Sequence, residues 1–414
     1  MTSIIHFKFD KKYFLKKTIC FLNSNNNSGI FTFGSEACIY DSSELALAKL
    51  QVFLDENKGN YIFGCLNYNL KNEIELIQCK NDDLLRFPLV NFWVPEYVVK
   101  IENGSRNYLK GNKTSESEEL ITDFFKQEKK ETFLSESISF SARTNKENYL
   151  KNVLKIKSLL QQGEIYEMNY CQEYFAENIK INNPFELYFK LNTITKAPFS
   201  AFLNTENHQV FCGSPERFLQ KKGNKLISQP IKGTAARGNS EKEDLANKET
   251  LQNKQKERSE NIMIVDLVRN DFSKIAQKNS VKVDELCAIY SFETVHQMIS
   301  TVSCEVKENT SFTDIIRATF PMGSMTGAPK LNAMKYIDEL EDFSRGIYAG
   351  SIGYIEPNGD FDFNVIIRSL VFNKEDKYLS CSVGGAITIL SEPEEEYAEC
   401  KTKIGKIINA FNES

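Results

Sequence analysis

The sequence has few histidines and no C-x-x-C pair. Only His6, His208 and His296 are present, and none has the spacing to a cysteine that zinc sites show, so a zinc site is disfavoured. The ten cysteines are scattered along a chain of 414 residues. This distribution is typical of reduced thiols, and we expect a cytoplasmic protein.

The sequence also lacks long apolar runs and a surplus of basic residues. No apolar stretch approaches the roughly 18 residues of a membrane-spanning helix, which excludes such a helix. The first residues, MTSIIHFKFDKKYFLKK, carry charges throughout and do not have the pattern of a signal peptide. The net charge of −5 gives no indication of nucleic-acid binding, which requires clustered basic residues.

The first third of the chain differs in composition from the rest. Residues 1–100 alternate apolar and polar runs, such as GIFTFG, which are typical of strands. Residues 101–140 are charged and rich in serine, and they predict a linker with one short helix near 117–128. We expect an N-terminal subdomain over 1–140 and a larger core over 141–414, with both parts sharing one fold.

The core contains hairpin-like strand pairs that favour an α+β fold with large antiparallel sheets. Strands are predicted near 166–175, 198–203, 208–213, 225–229, 293–306, 346–356, 361–373 and 378–390. The turn sequence EPNGDF lies between two of them. Thr144 and Glu147 predict a capping box at the start of a helix that ends near Gly163. A long polar helix is expected over 241–263 and a last helix over 393–412.

Two E-x-x-E pairs stand out within predicted helices. Glu257 pairs with Glu260, and Glu396 pairs with Glu399, each three residues apart and hence on one helix face. A single pair of this kind is more simply an exposed acidic face. Two pairs that face each other across a cleft form an all-oxygen site that suits Mg²⁺. Spacing alone leaves both interpretations open.

Other residues carry weaker local signals. Lys232 lies in SQPIKGTAARG, where an exposed lysine on a turn is the simplest interpretation. Arg368 lies in the apolar run FNVIIRSLVF, and a buried arginine requires an anionic partner from the protein or from a ligand. His296, in ETVHQMISTV, is by itself more often structural than catalytic.

Taken together, eight stretches resemble one family. They occur in the order SPERF, PIKGTAARG, KERSENIMIVDLVRND, ETVHQMISTV, PMGSMTGAPK, GIYAGSIGY, FNVIIRSL and PEEEYAECKTK. This ordered set resembles the chorismate-utilising enzymes, which include anthranilate synthase component I, aminodeoxychorismate synthase component I and isochorismate synthases. The resemblance covers about residues 144–412. It implies a single large domain in which two antiparallel sheets pack as a sandwich with helices outside.

The resemblance also implies a bound Mg²⁺ ion on the ring carboxylate of chorismate. By motif position, Glu260 and Glu399 are the expected direct ligands. Glu257 and Glu396 are expected to hold water molecules bound to the metal.

The remaining roles are carried over position by position. Arg368 and Tyr348 are expected to bind the enolpyruvyl carboxylate. The Gly384-Gly385 backbone and Lys403 are expected near the ring carboxylate. The resemblance implies contacts of the substrate with Ser324 and Thr234. It implies catalytic roles for His296, which would lie near the C4 hydroxyl, and for Glu216, the general acid for that hydroxyl.

Lys232 separates the branches of the family. The form Pro-Ile-Lys-Gly-Thr resembles the aminodeoxychorismate synthases, whereas anthranilate synthases typically carry alanine in place of this lysine. The resemblance implies that the lysine amine adds at C2 and that ammonia then enters at C4. Lys232 must be neutral to attack, and we expect burial to lower its pKa.

Two positions depart from the family pattern. Glu167 stands where isochorismate and salicylate synthases carry a base lysine and where the amino-transferring branch usually carries glutamine. Ala386 replaces a glycine in VGGAIT. The first departure removes the base that an isochorismate synthase requires.

The sequence predicts partners as well as a reaction. A class I glutaminase needs a nucleophilic cysteine in a glycine-rich turn, called an elbow, and a His-x-Glu pair. The stretch FGCLNY around Cys65 superficially resembles such an elbow. However, no histidine in this sequence is followed by a glutamate two positions later. We therefore expect ammonia from a separate glutamine amidotransferase subunit, and a separate lyase downstream. Two kinds of alternative to an amino-transferring enzyme remain. One is an enzyme of the same fold, either anthranilate synthase component I or an isochorismate or salicylate synthase. The other, from a different class, is a ligand-binding or regulatory subunit without catalysis.

Overall fold

The computed structural model describes residues 18–77, 79–128 and 138–412. The expectations for the first 17 residues and for the linker segment 129–137 lie outside the described residues. Within the described part, two large antiparallel sheets carry helices on their outer faces. The prediction of an α+β fold with two packed antiparallel sheets is confirmed.

The first sheet has eleven strands among the described residues. Numbered along the chain, they are β1 (Ile19–Asn23), β2 (Ser28–Phe33), β6 (Tyr97–Glu102), β7 (Ser105–Lys110), β8 (Ser141–Ala142), β9 (Glu167–Ala176), β10 (Phe199–Asn204), β11 (His208–Ser214), β17 (Gly327–Ala328), β20 (Ser369–Asn373) and β21 (Tyr378–Ile387). Their order in the sheet is β17-β9-β21-β20-β11-β10-β1-β2-β6-β7, and β8 also pairs with β9.

The second sheet has ten strands in the same part of the chain. They are β3 (Ala37–Asp41), β4 (Ile62–Leu66), β5 (Val90–Val94), β12 (Arg217–Lys222), β13 (Lys225–Gln229), β14 (Ile231–Ala236), β15 (Lys282–Ser291), β16 (Val295–Glu305), β18 (Ser351–Ile355) and β19 (Phe361–Asn364). Their order is β14-β16-β13-β12-β19-β18-β4-β5-β3, with β15 also on β16. Strands from the first and last thirds of the chain thus share both sheets.

The helices connect these strands. They are α1 (Ala46–Glu56), α2 (Lys71–Glu75), α3 (Ser115–Lys126), α4 (Lys146–Gln161), α5 (Pro184–Thr195), α6 (Glu241–Asn253), α7 (Gln255–Ser273), α8 (Phe312–Thr319), α9 (Lys330–Leu340) and α10 (Pro393–Asn412). The short helix predicted near 117–128 corresponds to α3, and α10 has the predicted bounds. No helix among the described residues combines the length and apolar character needed to cross a membrane.

Three local predictions are wrong. The helix expected over 241–263 is two helices, because Lys254 adopts an extended conformation between α6 and α7. The predicted strand over 361–373 is also two, since β19 belongs to the second sheet and β20 to the first. The cap of α4 is Asn145, whose side chain accepts a hydrogen bond from the Asn148 N–H, while the Thr144 hydroxyl donates to Asp342.

An aromatic cluster packs the early part of the chain against the later part. Phe124 of α3 is fully buried. Its ring centroid lies 5.3 Å from that of Phe21 on β1 and 5.0 Å from that of Phe31 on β2. It also lies 4.9 Å from Phe189 on α5 and 5.8 Å from Phe202 on β10. The cluster therefore ties α3 to the sheet that carries part of the cavity described below.

Truncation of this ring tests the importance of the cluster. Phe124→Ala removes buried apolar surface and leaves a cavity, so we expect the free energy of unfolding to decrease by about 3–5 kcal/mol. Urea denaturation followed by circular dichroism measures the change. Leu154→Ala on α4, where the side chain is 59% exposed, is the control and is expected to change stability by about 0.5 kcal/mol or less. Equal effects of the two substitutions would contradict this assignment.

Candidate active site

A cavity of about 450 Å³ lies between the two sheets. Its walls come from β9 and β21 of the first sheet, from β14 and β16 of the second, and from α7 and α10. This volume is in the range of sites for small organic ligands. The cavity is thus the natural candidate for an active site.

Most of the residues singled out in the sequence line this cavity. They are Glu216, Lys232, Thr234, Glu257, Glu260, Ser324, Tyr348, Arg368, Gly384, Gly385, Glu399 and Lys403. Glu396 and His296 are not among the lining residues. Glu396 nevertheless lies close by, since its Oε2 is 3.6 Å from the position that a Cβ on Gly385 would take.

Two connections between the sheets deliver side chains to the cavity. Glu216 follows β11 of the first sheet and precedes β12 of the second, and its carbonyl accepts a hydrogen bond from the Val365 N–H. Arg368 lies on the return path from β19 to β20, in the left-handed region with φ of 51°. Each crossing places its residue between the sheets, where the cavity lies.

Irregular backbone on β14 sets the position of Lys232. The pairing of β14 with β16 shifts register between Ile231 and Thr234, and Lys232 and Gly233 lie in this irregularity. Such bulges change the direction of a side chain relative to its strand. Gly233 has φ of +85°, and a Cβ there would lie 3.1 Å from the Cβ of Glu257, so glycine is needed at this position.

Lys232 is buried in an ion pair. Its side chain is 8% exposed, and Nζ donates a hydrogen bond of 2.6 Å to Oε1 of Glu167 on β9. Burial lowers the pKa of Lys232, but attraction by Glu167, Glu260 and Glu216 together with the hydrogen bond raises it above its ordinary value. The expectation of burial is met, whereas the expectation of a lowered pKa is wrong, because carboxylates surround the ammonium group.

Glu216 is suited to donate a proton near neutral pH. Burial raises its pKa from an ordinary 4.5 to about 7, although the Ser324 hydroxyl, Lys232 and Arg368 act in the opposite direction. A general acid is most effective when its pKa lies near the working pH. The raised pKa is compatible with the acid role that the resemblance implies, and that role stays a prediction.

Three carboxylates of the two E-x-x-E pairs line the cavity, Glu257 and Glu260 from α7 and Glu399 from α10, and lysines accompany both pairs. The ammonium group of Lys256 lies 2.5 Å from Glu396 and 3.9 Å from Glu260. Lys254 contacts Glu257 at 2.8 Å, and Lys403 contacts Glu399 at 2.7 Å. The acidic cluster is therefore largely neutralised by lysines.

The carboxylates fit a hard divalent cation by their chemistry. Oε1 of Glu260 is buried without a hydrogen-bond partner, and burial raises the pKa of Glu260 to about 8. A cation at this oxygen would satisfy it, and oxygen ligands suit Mg²⁺. Among the described residues, however, no three such side chains lie close enough to form a ready-made metal site.

Arg368 has no carboxylate partner in the described part of the chain. No salt bridge of 4 Å or less involves its guanidinium group. Burial lowers the pKa of Arg368, and Glu216 partly opposes this effect. A guanidinium without an ion pair in a cavity favours an anionic ligand, since it provides planar recognition of a carboxylate.

The backbone at Gly384 and Gly385 forms another part of the wall. A Cβ on Gly384 would lie 2.4 Å from Sγ of Cys171, which prevents a larger residue. The Lys403 ammonium donates to the carbonyl oxygen of Gly384 at 3.0 Å. No atom lies closer than 3.6 Å to the position that a Cβ on Gly385 would take, so a ligand can approach the backbone there.

His296 points away from this wall. Its Nε2 lies 3.0 Å from Oδ1 of Asp244, and its Nδ1 lies 2.9 Å from the Ser291 hydroxyl. The next residue on β16, Gln297, lines the cavity instead, and both polar atoms of its amide are buried without a partner. Neighbouring residues on a strand face opposite sides of the sheet. The motif pointed to the histidine, so this glutamine was not predicted. A contact of His296 with substrate stays a prediction.

A buried ion pair supports the wall that carries Ser324. Arg345 binds Glu341 through two hydrogen bonds of 2.6 and 2.8 Å, and it also donates to the carbonyl oxygens of Met325 and Asn169. The Asn169 amide donates to the Ser324 carbonyl at 3.0 Å. These bonds join β9 to the turn that holds Ser324.

The chain is similar to known proteins in family pattern, in sequence and in structure. A model of the chorismate binding enzymes matches residues 15–409. Aminodeoxychorismate synthase component 1 from Bacillus subtilis is 32% identical over 349 residues, which cover 81% of this chain and 73% of that protein. Chloroplastic aminodeoxychorismate synthase from Arabidopsis thaliana is 41% identical over 280 residues, covering 66% of this chain and 30% of that protein. The chain thus spans 73% of the length of the Bacillus subtilis protein but only 30% of the length of the plant protein.

Solved structures share the fold. Anthranilate synthase component I from Streptococcus pneumoniae superimposes with a TM-score of 0.77 at 23% identity, covering 91% of this chain and 92% of that one. The menaquinone-specific isochorismate synthase from Escherichia coli gives a TM-score of 0.74 at 16% identity, covering 98% and 92%. At these identities the likeness concerns the fold.

The pKa of Glu216 gives a prediction for stability. Because the folded protein holds this proton more tightly than the unfolded chain, the free energy of unfolding falls as pH rises from about 4.5 through 7. Glu216→Gln removes this titration. Between pH 5 and pH 8, we expect the free energy of unfolding of the variant to increase by up to about 3 kcal/mol relative to that of wild type.

Urea denaturation at the two pH values measures this difference. Glu293→Gln, at a side chain that is 68% exposed, is the control, and its stability relative to wild type is expected to be almost the same at both pH values. A difference between wild type and Glu216→Gln that stays constant with pH would show that Glu216 is already ionised at low pH.

Proposed function

The chain belongs to the chorismate binding enzymes, and we propose that it is the synthase component that aminates chorismate at C4. The product is 4-amino-4-deoxychorismate, the precursor of p-aminobenzoate in folate synthesis. The single observation that carries this proposal is the buried Lys232 in the same cavity as Glu216 and Arg368. The relatives named aminodeoxychorismate synthase support it.

The cavity offers cations and donors for a dicarboxylate substrate. Arg368, which has no ion pair among the described residues, binds one carboxylate, with Tyr348 beside it in the wall. Lys403 and the backbone at Gly384 and Gly385 receive the other carboxylate. Gln297 and Ser324 provide further polar contacts. This arrangement orients the ring between β14 and β21.

The reaction proceeds through two displacements that share one lysine. The neutral amine of Lys232 adds to C2, the ring double bonds shift, and the C4 hydroxyl leaves as water with the proton of Glu216. Ammonia then adds at C4, the double bonds shift back, and the C2–N bond breaks to release Lys232. The pKa of about 7 for Glu216 allows it to hold the proton before the first step.

Magnesium is the proposed cofactor. Glu260 and Glu399 are the proposed direct ligands, and Glu257 and Glu396 hold its water molecules. When bound, the ion neutralises the ring carboxylate and draws electron density from the ring. The oxygen of Glu260 without a hydrogen-bond partner supports this assignment.

The ammonia comes from a separate glutamine amidotransferase subunit in this proposal, and a separate lyase consumes the product. Cys65 is fully buried, and burial raises the pKa of its thiol well above the ordinary range, which disfavours a nucleophile. The Nε2 atom of His208 lies 2.7 Å from the Leu85 carbonyl oxygen. Neither residue is therefore arranged for glutamine hydrolysis. The Bacillus subtilis relative is named component 1, which supports a partner subunit.

Two alternatives have specific observations against them. The resemblance implies a base lysine in isochorismate synthases where this chain has Glu167, and this carboxylate is instead paired with Lys232. A regulatory subunit without catalysis would not need the acid, the lysine and the carboxylates to meet in one cavity. Anthranilate synthase component I shares the fold, and its product separates it from the present proposal.

Substitution of the lysine tests the proposed reaction. With chorismate, Mg²⁺ and ammonium salt, wild type is expected to form 4-amino-4-deoxychorismate, measured by liquid chromatography and mass spectrometry. Lys232→Ala removes the nucleophile, so we expect product formation to fall by at least about 100-fold, with circular dichroism unchanged. Anthranilate or isochorismate as the sole product of wild type, or full activity of the variant, would refute the proposal.

Lys225→Ala is the matched control. Lys225 lies on β13 of the same sheet and pairs with Asp284 at the surface at 3.1 Å. Its removal is expected to leave the rate unchanged within about twofold, because exposed pairs contribute little.

A second test concerns the metal. Glu260→Gln removes a proposed ligand, so we expect loss of the Mg²⁺-dependent increase in Tm and of Mg²⁺ binding measured by isothermal titration calorimetry. Glu395→Gln, an exposed position on α10, is the control and is expected to bind Mg²⁺ as wild type does. Unchanged Mg²⁺ binding by Glu260→Gln would remove Glu260 from the ligand set.

A further inference from the structure

Glu167 is the closest partner of the proposed nucleophile. Its Oε1 accepts the 2.6 Å hydrogen bond from Nζ of Lys232, and the side chains are 1% and 8% exposed. The residues come from different sheets, since Glu167 begins β9 and Lys232 lies on β14. The pair therefore holds the ammonium group at a defined point between the sheets.

The second oxygen of Glu167 has no partner. Oε2 is buried and makes no hydrogen bond among the described residues. A carboxylate with a buried oxygen of this kind retains full capacity to accept a proton. A glutamine at this position would hold the lysine through its carbonyl oxygen but could not take a proton from it.

From this geometry we propose that Glu167 takes the proton that Lys232 must lose before it attacks the substrate, and returns it after the amine is released. This inference rests on the proposed function, because it assigns a partner to the nucleophile. It gives Glu167 a role that a neutral residue at this position cannot perform.

The proton balance closes within the pair. In the first step one N–H bond of the Lys232 ammonium breaks and an O–H bond forms on Glu167. The free electron pair on Nζ then forms the C2–N bond, and the hydroxyl at C4 leaves as water with the Glu216 proton. At the end of this step the proton that left Lys232 is on Glu167, so the pair has not lost it to solvent.

The second half reverses this transfer. Ammonia adds at C4, and the C2–N bond breaks with its electrons returning to Nζ, which leaves Lys232 as a neutral amine. The proton on Glu167 passes back to Nζ, and the new ammonium group at C4 can give a proton to the Glu216 carboxylate. No proton has to be exchanged with solvent at Lys232.

Burial makes such a transfer feasible. In a site of low polarity, an ion pair loses much of its advantage over the neutral amine and acid, because charges are poorly solvated. Other charged groups also surround the pair and bias the transfer. They are Glu216 from the β11–β12 connection, Glu257, Glu260 and Lys256 from α7, and Arg368 from the β19–β20 connection.

The test measures how the rate of adduct formation depends on pH. Protein and chorismate are mixed with Mg²⁺ and without ammonia, quenched at defined times, and examined by intact mass spectrometry for an adduct on Lys232. In wild type the lysine proton moves to Glu167 within the pair. Deprotonation of Lys232 therefore adds no pH dependence to the rate of adduct formation. In Glu167→Gln the lysine must lose its proton to solvent, and the rate rises about tenfold per pH unit below the pKa of Lys232 in that variant.

The readout is the ratio of the wild-type rate to the variant rate, measured from about pH 5 upward. The titration of Glu216 affects both proteins and cancels in this ratio. We expect the ratio to fall about tenfold per pH unit at the acidic end and then to level off. Glu167→Asp, which keeps a carboxylate, is expected to restore the wild-type pH profile at a lower rate.

Glu173→Gln is the control. This residue lies on the same strand and pairs with Arg143 at 2.6 Å, away from the cavity. Its ratio to wild type is expected to be constant with pH. Circular dichroism confirms that each variant is folded.

The other outcomes overturn the inference. A ratio for Glu167→Gln that is constant with pH means that Glu167 acts only as a structural support. A variant faster than wild type at every pH means that the carboxylate only restrains the lysine. Both results leave the wild-type adduct and the proposed function intact. Absence of any adduct in wild type at every pH refutes the nucleophile and this inference together.

Discussion

The ion pair between Lys232 and Glu167 is the constraint around which the cavity is organised. It joins one strand from each sheet at a point where almost no solvent reaches either side chain. Loss of one partner would leave an isolated buried charge, which costs several kcal/mol. The two sheets are therefore held in a register that places the lysine next to the acid Glu216 and the guanidinium of Arg368.

The rest of the cavity follows the same electrostatic logic. Four carboxylates on α7 and α10 would repel one another, and three lysines accompany them: Lys254 just before α7, Lys256 on α7 and Lys403 on α10. Among the described residues, Arg368 has no ion pair and the Oε1 atom of Glu260 has no hydrogen bond. In the proposed function, a dianionic substrate together with a divalent cation would satisfy both groups.

Much of the fold could be predicted from local patterns, and the failures have physical causes. The turn between β18 and β19 and the helix α10 depend on nearby residues, and both are found as expected. The strand predicted over 361–373 fails because an apolar run does not show that the chain changes sheet at Arg368. His296 was singled out through its position in a family motif, yet strand alternation turns it away and places Gln297 in the wall.

The sequence by itself determined the family, because the spacing and order of eight motifs is a property of the chain. It also singled out Glu216, Lys232 and the four glutamates of the two E-x-x-E pairs. Only the tertiary structure decided the charge state and partners of these groups. Residues far apart in sequence, such as Glu167 and Lys232, meet only when the sheets pack. Burial and neighbouring carboxylates act through distance in space, so the raised pKa of Lys232 and the role of Glu167 could not be obtained from sequence alone.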